Sequence, residues 1–112
     1  MLNEDDRANA EEVLYAIAHI EEYLKNISSL ENLLNNSMAY DAVMMNFIVI
    51  GEACKRMSAE TKNANPQIDW KGINSYRNFI AHEYFGVDEN IVWAAIKIEL
   101  PKLKKEIVSI LK

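Results

Sequence analysis

At 112 residues the chain has room for one domain built on one modest core. Half of its residues are apolar and 26% are charged, which excludes a disordered chain, and no apolar run approaches the roughly 20 residues that span a bilayer. A formal net charge of −5 argues against broad coating of nucleic acid.

The opening MLNEDDRANAEE is acidic and polar, without the basic start and apolar stretch of a signal peptide, so a cytoplasmic location is expected. Val13, Leu14, Ile17, Ile20, Leu24 and Ile27 recur at steps of three and four, which predicts an amphipathic first helix from about Asp5 to Ile27. Glu11, Glu12, Glu21, Glu22 and Lys25 fall largely on its other faces. Ser28 and Ser29 open a turn, and Leu30 to Leu34 make a short helical piece. Asn35, Asn36 and Ser37 are capping residues for a second long helix, predicted from about Ser37 to Lys62. Its apolar stripe, Ala39, Val43, Met44, Phe47, Ile48, Ile50, Gly51, Cys54 and Met57, is the widest in the chain and marks the most buried helix. Gly51 is unfavourable to the helix itself, and a close helix crossing is the expected return. Cys54, the single cysteine, rules out an internal disulfide and suits a reducing compartment.

The break NANPQIDW follows, because Pro66 disfavours helical geometry at Asn65. Asp69 then caps a helix over about Trp70 to Glu83. Gly86 and Asp88 make a turn, and Asp88 caps a further helix carrying Ile91, Val92, Ala95 and Ile96. Pro101 suits the first turn of a helix, so a kink or restart is expected near Leu100, before the last stripe of Leu103, Ile107, Ile110 and Leu111. Nothing reads as a strand ladder, a repeat or a linker. The predicted fold is all-α, a single four- to five-helix bundle of antiparallel helices over residues 1–112.

The chemistry gathers in Arg77-Asn78-Phe79-Ile80-Ala81-His82-Glu83-Tyr84. At about 100° per residue, Asn78 and His82 are neighbours on one helix face, and Arg77 and Tyr84 align two turns apart. Arg77 and His82 lie roughly 140° apart around the axis, so they are not face to face on a regular helix. Three routes could unite them: the long arginine bending round, a loosened helix near Tyr84, or a second copy across a symmetry axis. An arginine fork suits phosphate and an imidazole moves protons near neutral pH. Together they can cleave RNA without a metal: the histidine takes the 2′-hydroxyl proton and the arginine stabilises charge on the phosphate. Asn78 could orient the imidazole or bind a phosphate oxygen. The charge distribution is compatible with this. Residues 1–54 carry two basic and ten acidic residues, whereas residues 55–112 carry ten basic and seven acidic ones.

The string RNFIAHEYFGVD resembles the signature of the HEPN superfamily, an arginine and a histidine with four to six residues between them, the first of these usually polar; here four lie between Arg77 and His82, and Asn78 is the polar one. Tyr84, completing R-x4-H-x-Y, is similar to the HepT branch, as are GEACKRMS at 51–58, the PQIDW approach and the FGVD turn into an IVW helix. The resemblance covers nearly the whole chain. It implies a HEPN bundle, a homodimer with the motif at the cleft between subunits, and Arg77 and His82 as the ribonuclease pair with Asn78 supporting. It also implies a toxin–antitoxin pairing, in which a cognate MntA-like minimal nucleotidyltransferase AMPylates Tyr84. The expected substrate is RNA, because DNA has no 2′-hydroxyl. With no phosphate loop, no CxxC and no carboxylate cluster of metal type in the sequence, no cofactor, no metal and no membrane partner is expected. A different class of function stays open, a non-catalytic nucleotide- or substrate-binding subunit of that nucleotidyltransferase, and so does a purely structural helical dimer.

Plainer roles exist for these residues. His82 could cap or pack near a helix end, Arg77 could pair with Glu83 or Asp69, and Tyr84 could be a core aromatic with its hydroxyl at the rim. Trp70, Tyr76, Phe79 and Trp93 are expected to pack rather than stack on bases. His19 has no second histidine at ligand spacing and reads as structural or solvated. Met44, Met45 and Met57 read as adaptable packing in the core or at a dimer interface.

Overall fold

The computed structural model describes residues 2–112, all-helical apart from turns. Helix α1 spans Glu4–Tyr23, α2 Leu30–Leu34, α3 Ser37–Arg56, α4 Ala59–Ala64, α5 Trp70–His82, α6 Glu89–Ala94 and α7 Leu100–Leu111. A 3-10 turn covers Tyr84–Gly86, and a π-helical turn over Ala95–Glu99 joins α6 to α7. The all-α bundle expected from the apolar spacing is the observed fold. Among the described residues no helix is long and apolar enough to cross a membrane.

Local chemistry sets most helix starts. Asn3, Ser29, Asn36, Ser58 and Asp69 each accept the backbone N–H three residues on, and Asp88 accepts that of Asn90. The expected caps Asp69 and Asp88 are thus observed, and Asn36 is the member of its trio that caps.

The helix ends differ from expectation in two places. Helix α1 stops at Tyr23 rather than near Ile27. Leu24 and Ile27 still pack on the core from the following turn, so the apolar spacing outlasts the helical hydrogen bonds. Helix α3 stops at Arg56 rather than Lys62, because Met57 is extended (φ −58°, ψ 143°) and Ser58 starts α4. The cause is tertiary. Buried Asp6 accepts the Ser58 N–H at 2.9 Å and the Ser58 hydroxyl at 2.5 Å, and it also accepts the Thr61 hydroxyl. These bonds hold Ser58 out of the α3 ladder and tie the start of α1 to the start of α4. The restart at Leu100 takes the form of the π-helical turn. Pro101 has no N–H to offer the carbonyl of Lys97, and the Leu100 N–H reaches back to the Ala95 carbonyl.

The core joins Val13, Ile17 and Ile20 of α1 to Val43, Met44 and Ile50 of α3, with Ile80 of α5 and Ile107 of α7. Polar ties at the rim show that neighbours run antiparallel. Arg56 at the end of α3 binds Glu12 and Asn9 near the start of α1, and Lys104 in α7 binds Glu21 near the end of α1. Cys54 is buried, and burial pushes its thiol up to about 12, as suits an inert core residue. Trp70 and Trp93 pack against the core, as expected. The Trp70 indole donates to the Asn65 carbonyl at 3.0 Å, and the Lys97 ammonium lies 4.8 Å from the Trp93 ring.

Candidate active site

Helices α3 and α5 cross antiparallel, and the motif lies along this crossing. Phe47 meets Tyr76 edge-on at 5.5 Å, Glu52 meets Arg77, and Asp41 meets Tyr84. Gly51 is what lets the two helices approach at Arg77. A Cβ on residue 51 would lie 2.3 Å from Arg77 Cβ and 2.4 Å from its Cγ. The close crossing expected of this glycine is therefore observed, and its partner is the stem of the motif arginine.

Arg77 is fixed by two partners. Its Nη2 donates to Glu52 Oε1 in a half-buried ion pair, with the two side chains 23% and 35% exposed. Its Nη1 donates to Asn78 Oδ1 at 2.8 Å, and its Nε is buried without a partner. The expected alternatives, Glu83 and Asp69, are not its partners. Asp69 is occupied as the cap of α5, accepting from Gly72 at 2.9 Å. His82 lies in the last turn of α5 and is exposed to solvent. So Arg77, Asn78 and Glu52 come together, while the imidazole stands on its own at the helix end. Within the chain, neither bond held by the arginine passes through His82.

Tyr84 follows in the 3-10 turn, half-buried, with its hydroxyl donating to Asp41 Oδ1. Burial, then the bond to and charge of Asp41 and the nearby Tyr40, push its phenol up to about 12, so it stays un-ionised at neutral pH. Tyr76 stands deeper, its hydroxyl buried without a partner and its ionisation pushed well above the ordinary value by burial and then Tyr40. Phe85 next to Tyr84 is fully exposed, and Met38 and Met45 of α3 are 83% and 59% exposed. Asp41, Met45, Ile48 and Glu52 follow one another at helical spacing, so α3 offers a stripe with a carboxylate at each end and apolar residues between.

Two residues of this arrangement escape motif reading, Glu52 and Asp41. Both lie on α3, more than 20 residues from the motif. Spacing within α3 gives no hint of them, because only the helix crossing puts them opposite Arg77 and Tyr84. For Glu52 two signals were available: it directly follows the glycine expected to mark the crossing, and it lies in the family-like string GEACKRMS at 51–58.

Gly51→Ala tests the crossing. The added methyl meets Arg77 Cβ, which is fixed to the α5 backbone and cannot swing away, so the helices must separate. Overpacking of this kind costs about 1–3 kcal/mol, against a gain of about 1 kcal/mol in helix propensity. A net loss of about 1 kcal/mol in urea unfolding is expected, with weaker Arg77–Glu52 pairing. A more stable protein with an unshifted Arg77 would contradict the crossing.

An all-helical bundle with Arg77-Asn78 and His82 on one motif helix defines a HEPN-type domain. Residues 13–110 match the family described as Ribonuclease HepT-like, and the chain belongs to that family. It is 34% identical to the "Probable ribonuclease HepT" of Thermococcus cleftensis over 94 residues, covering 84% of each chain. It is 32% identical over 107 residues to a "Putative RNase" of Methanocaldococcus jannaschii, covering 96% of this chain and 97% of that one. A longer relative from the same organism, named "Gamma-glutamylcyclotransferase and putative RNase", is 32% identical over 110 residues, and this chain spans about half of its length. No solved structure matches the chain significantly.

Proposed function

We propose that this chain is a metal-independent endoribonuclease toxin whose site forms at a cleft between two copies. The observation that carries the reading is the way α3 and α5 hold Arg77. Gly51 admits its stem, and Glu52 and Asn78 fix its guanidinium, five residues before an exposed imidazole. A two-fold axis beside the exposed Met45 and Phe85 would bring His82 of one copy toward Arg77 of the other. It would cover apolar surface at the same time.

In such a cleft the His82 imidazole takes the proton of a ribose 2′-hydroxyl. The freed oxygen attacks the adjacent phosphorus, and the 5′-oxygen leaves with a proton. The products are a 2′,3′-cyclic phosphate and a 5′-hydroxyl. Arg77 stabilises the charge that builds on the phosphate oxygens.

Tyr84 is the proposed control point. AMPylation by a partner minimal nucleotidyltransferase would replace the hydroxyl bond to Asp41 with a bulky phosphodiester. Its negative charge, added seven residues after Arg77 at the end of the motif, would compete with RNA phosphate.

The test is cleavage of a single-stranded RNA in excess chelator by wild type and His82→Ala. Cleavage by wild type and a loss of about 10³-fold in the variant are expected. Equal inactivity of both would favour a nucleotide-binding subunit, a reading consistent with the net charge of −5.

A further inference from the structure

We propose that Glu52 is a positioning residue, which orients the Arg77 guanidinium from the neighbouring helix and so sets its reach toward a phosphate. This rests on the ribonuclease reading above and names the residue that prepares its arginine. An arginine on a free helix surface samples many rotamers, and a phosphate must then be met by a group that is still searching. Here the search is restricted at three levels. The Arg77 stem lies against the α3 backbone at Gly51, which closes off one side of it. Glu52, the next residue on α3, takes Nη2, and Asn78, the next residue on α5, takes Nη1. One residue of α3 supplies the space and its neighbour supplies the anchor.

Two features make this an orienting contact rather than a block on the phosphate site. A guanidinium has five N–H donors, and Glu52 and Asn78 use one on each terminal nitrogen. A second N–H on each terminal nitrogen therefore remains for phosphate oxygens. In addition, the Glu52 side chain is about one-third exposed, so water screens its charge toward an incoming phosphate while the hydrogen bond persists.

The experiment compares wild type, Glu52→Ala and Glu52→Gln, each checked for thermal unfolding. Cleavage of a mixed-sequence single-stranded RNA oligonucleotide gives kcat and KM. Nitrogen-15 NMR of the Arg77 guanidinium reports its rotational restraint without any need for turnover. Glu52→Ala is expected to lower kcat by about 100-fold with KM within about threefold of wild type. Glu52→Gln keeps an acceptor oxygen and is expected to stay within about fivefold of wild type. The separate Nη signals of wild type should persist in Glu52→Gln and average together in Glu52→Ala. Wild-type kinetics in Glu52→Ala would overturn the proposal. So would a faster enzyme with lower KM, which would mean that the carboxylate competes with phosphate. Equal loss in both variants together with a lowered melting temperature would reduce Glu52 to a framework residue. If wild type cleaves nothing, the ribonuclease reading fails, and the NMR signals alone decide whether Glu52 orients Arg77.

Discussion

Arg77→Ala and His82→Ala, each about 10³-fold impaired alone, are expected to recover about a quarter of wild-type cleavage when their subunits are mixed in equal amounts. The reason is geometric. On α5 the two residues are roughly 140° apart, Arg77 is bound to Glu52 and Asn78, and His82 faces solvent. If each site takes its arginine from one copy and its histidine from the other, a mixed dimer holds one intact site and one site lacking both groups. Random exchange makes half of the dimers mixed, and each has one working site of two. If instead both groups come from a single copy, every site in the mixture lacks one of them and the activity stays at the level of the single variants. The measurement is the cleavage rate of co-refolded subunits against each variant alone. Arg77→Ala leaves Glu52 unpaired, but that carboxylate is about one-third exposed and can be hydrated, so both variants are expected to fold.

Asp6→Ala is expected to destabilise the protein by about 3 kcal/mol, a fall of roughly 15 °C in melting temperature at fixed protein concentration. Asp6 is buried, and its carboxylate accepts from the Ser58 N–H and from the hydroxyls of Ser58 and Thr61. Alanine leaves these donors without a partner at the join between α1 and α4. Asp6→Asn should cost less, about 1 kcal/mol, because the two hydroxyls can turn to accept from the amide. The pH dependence follows from the same bonds. Burial works to raise the Asp6 pKa, but the bonds from Ser58 and Thr61, with the charge of Lys62, outweigh it and hold the carboxyl below its ordinary value. A lowered native pKa means that the stabilisation is complete above the unfolded value near 3.8 and fades as pH falls through it toward the native value. Wild type should therefore lose stability below about pH 4 more steeply than Asp6→Asn in parallel urea titrations. Identical acid slopes would show that Asp6 is not the group responsible.

Sequence alone determined the class of fold and the location of the motif, for reasons that are local. Helix periodicity needs only the spacing of apolar residues, and capping needs only an oxygen at the helix start. That is why the all-α bundle and the starts at Asn36, Asp69 and Asp88 were legible. Arg77, Asn78, His82 and Tyr84 are close in the chain, so their candidacy was legible too. Tertiary structure decided what depends on residues distant in sequence. The end of α3 at Arg56 was invisible because its cause is a carboxylate 52 residues away. The same holds for the orientation of Arg77, fixed by Glu52 from 25 residues away, and for the Tyr84 hydroxyl, held by Asp41 from 43 residues away. Each of these partners sits on a helix whose own pattern says only which face is apolar. A side chain's partner across a helix crossing is set by where the crossing falls, and here Gly51 set it by giving up its side chain.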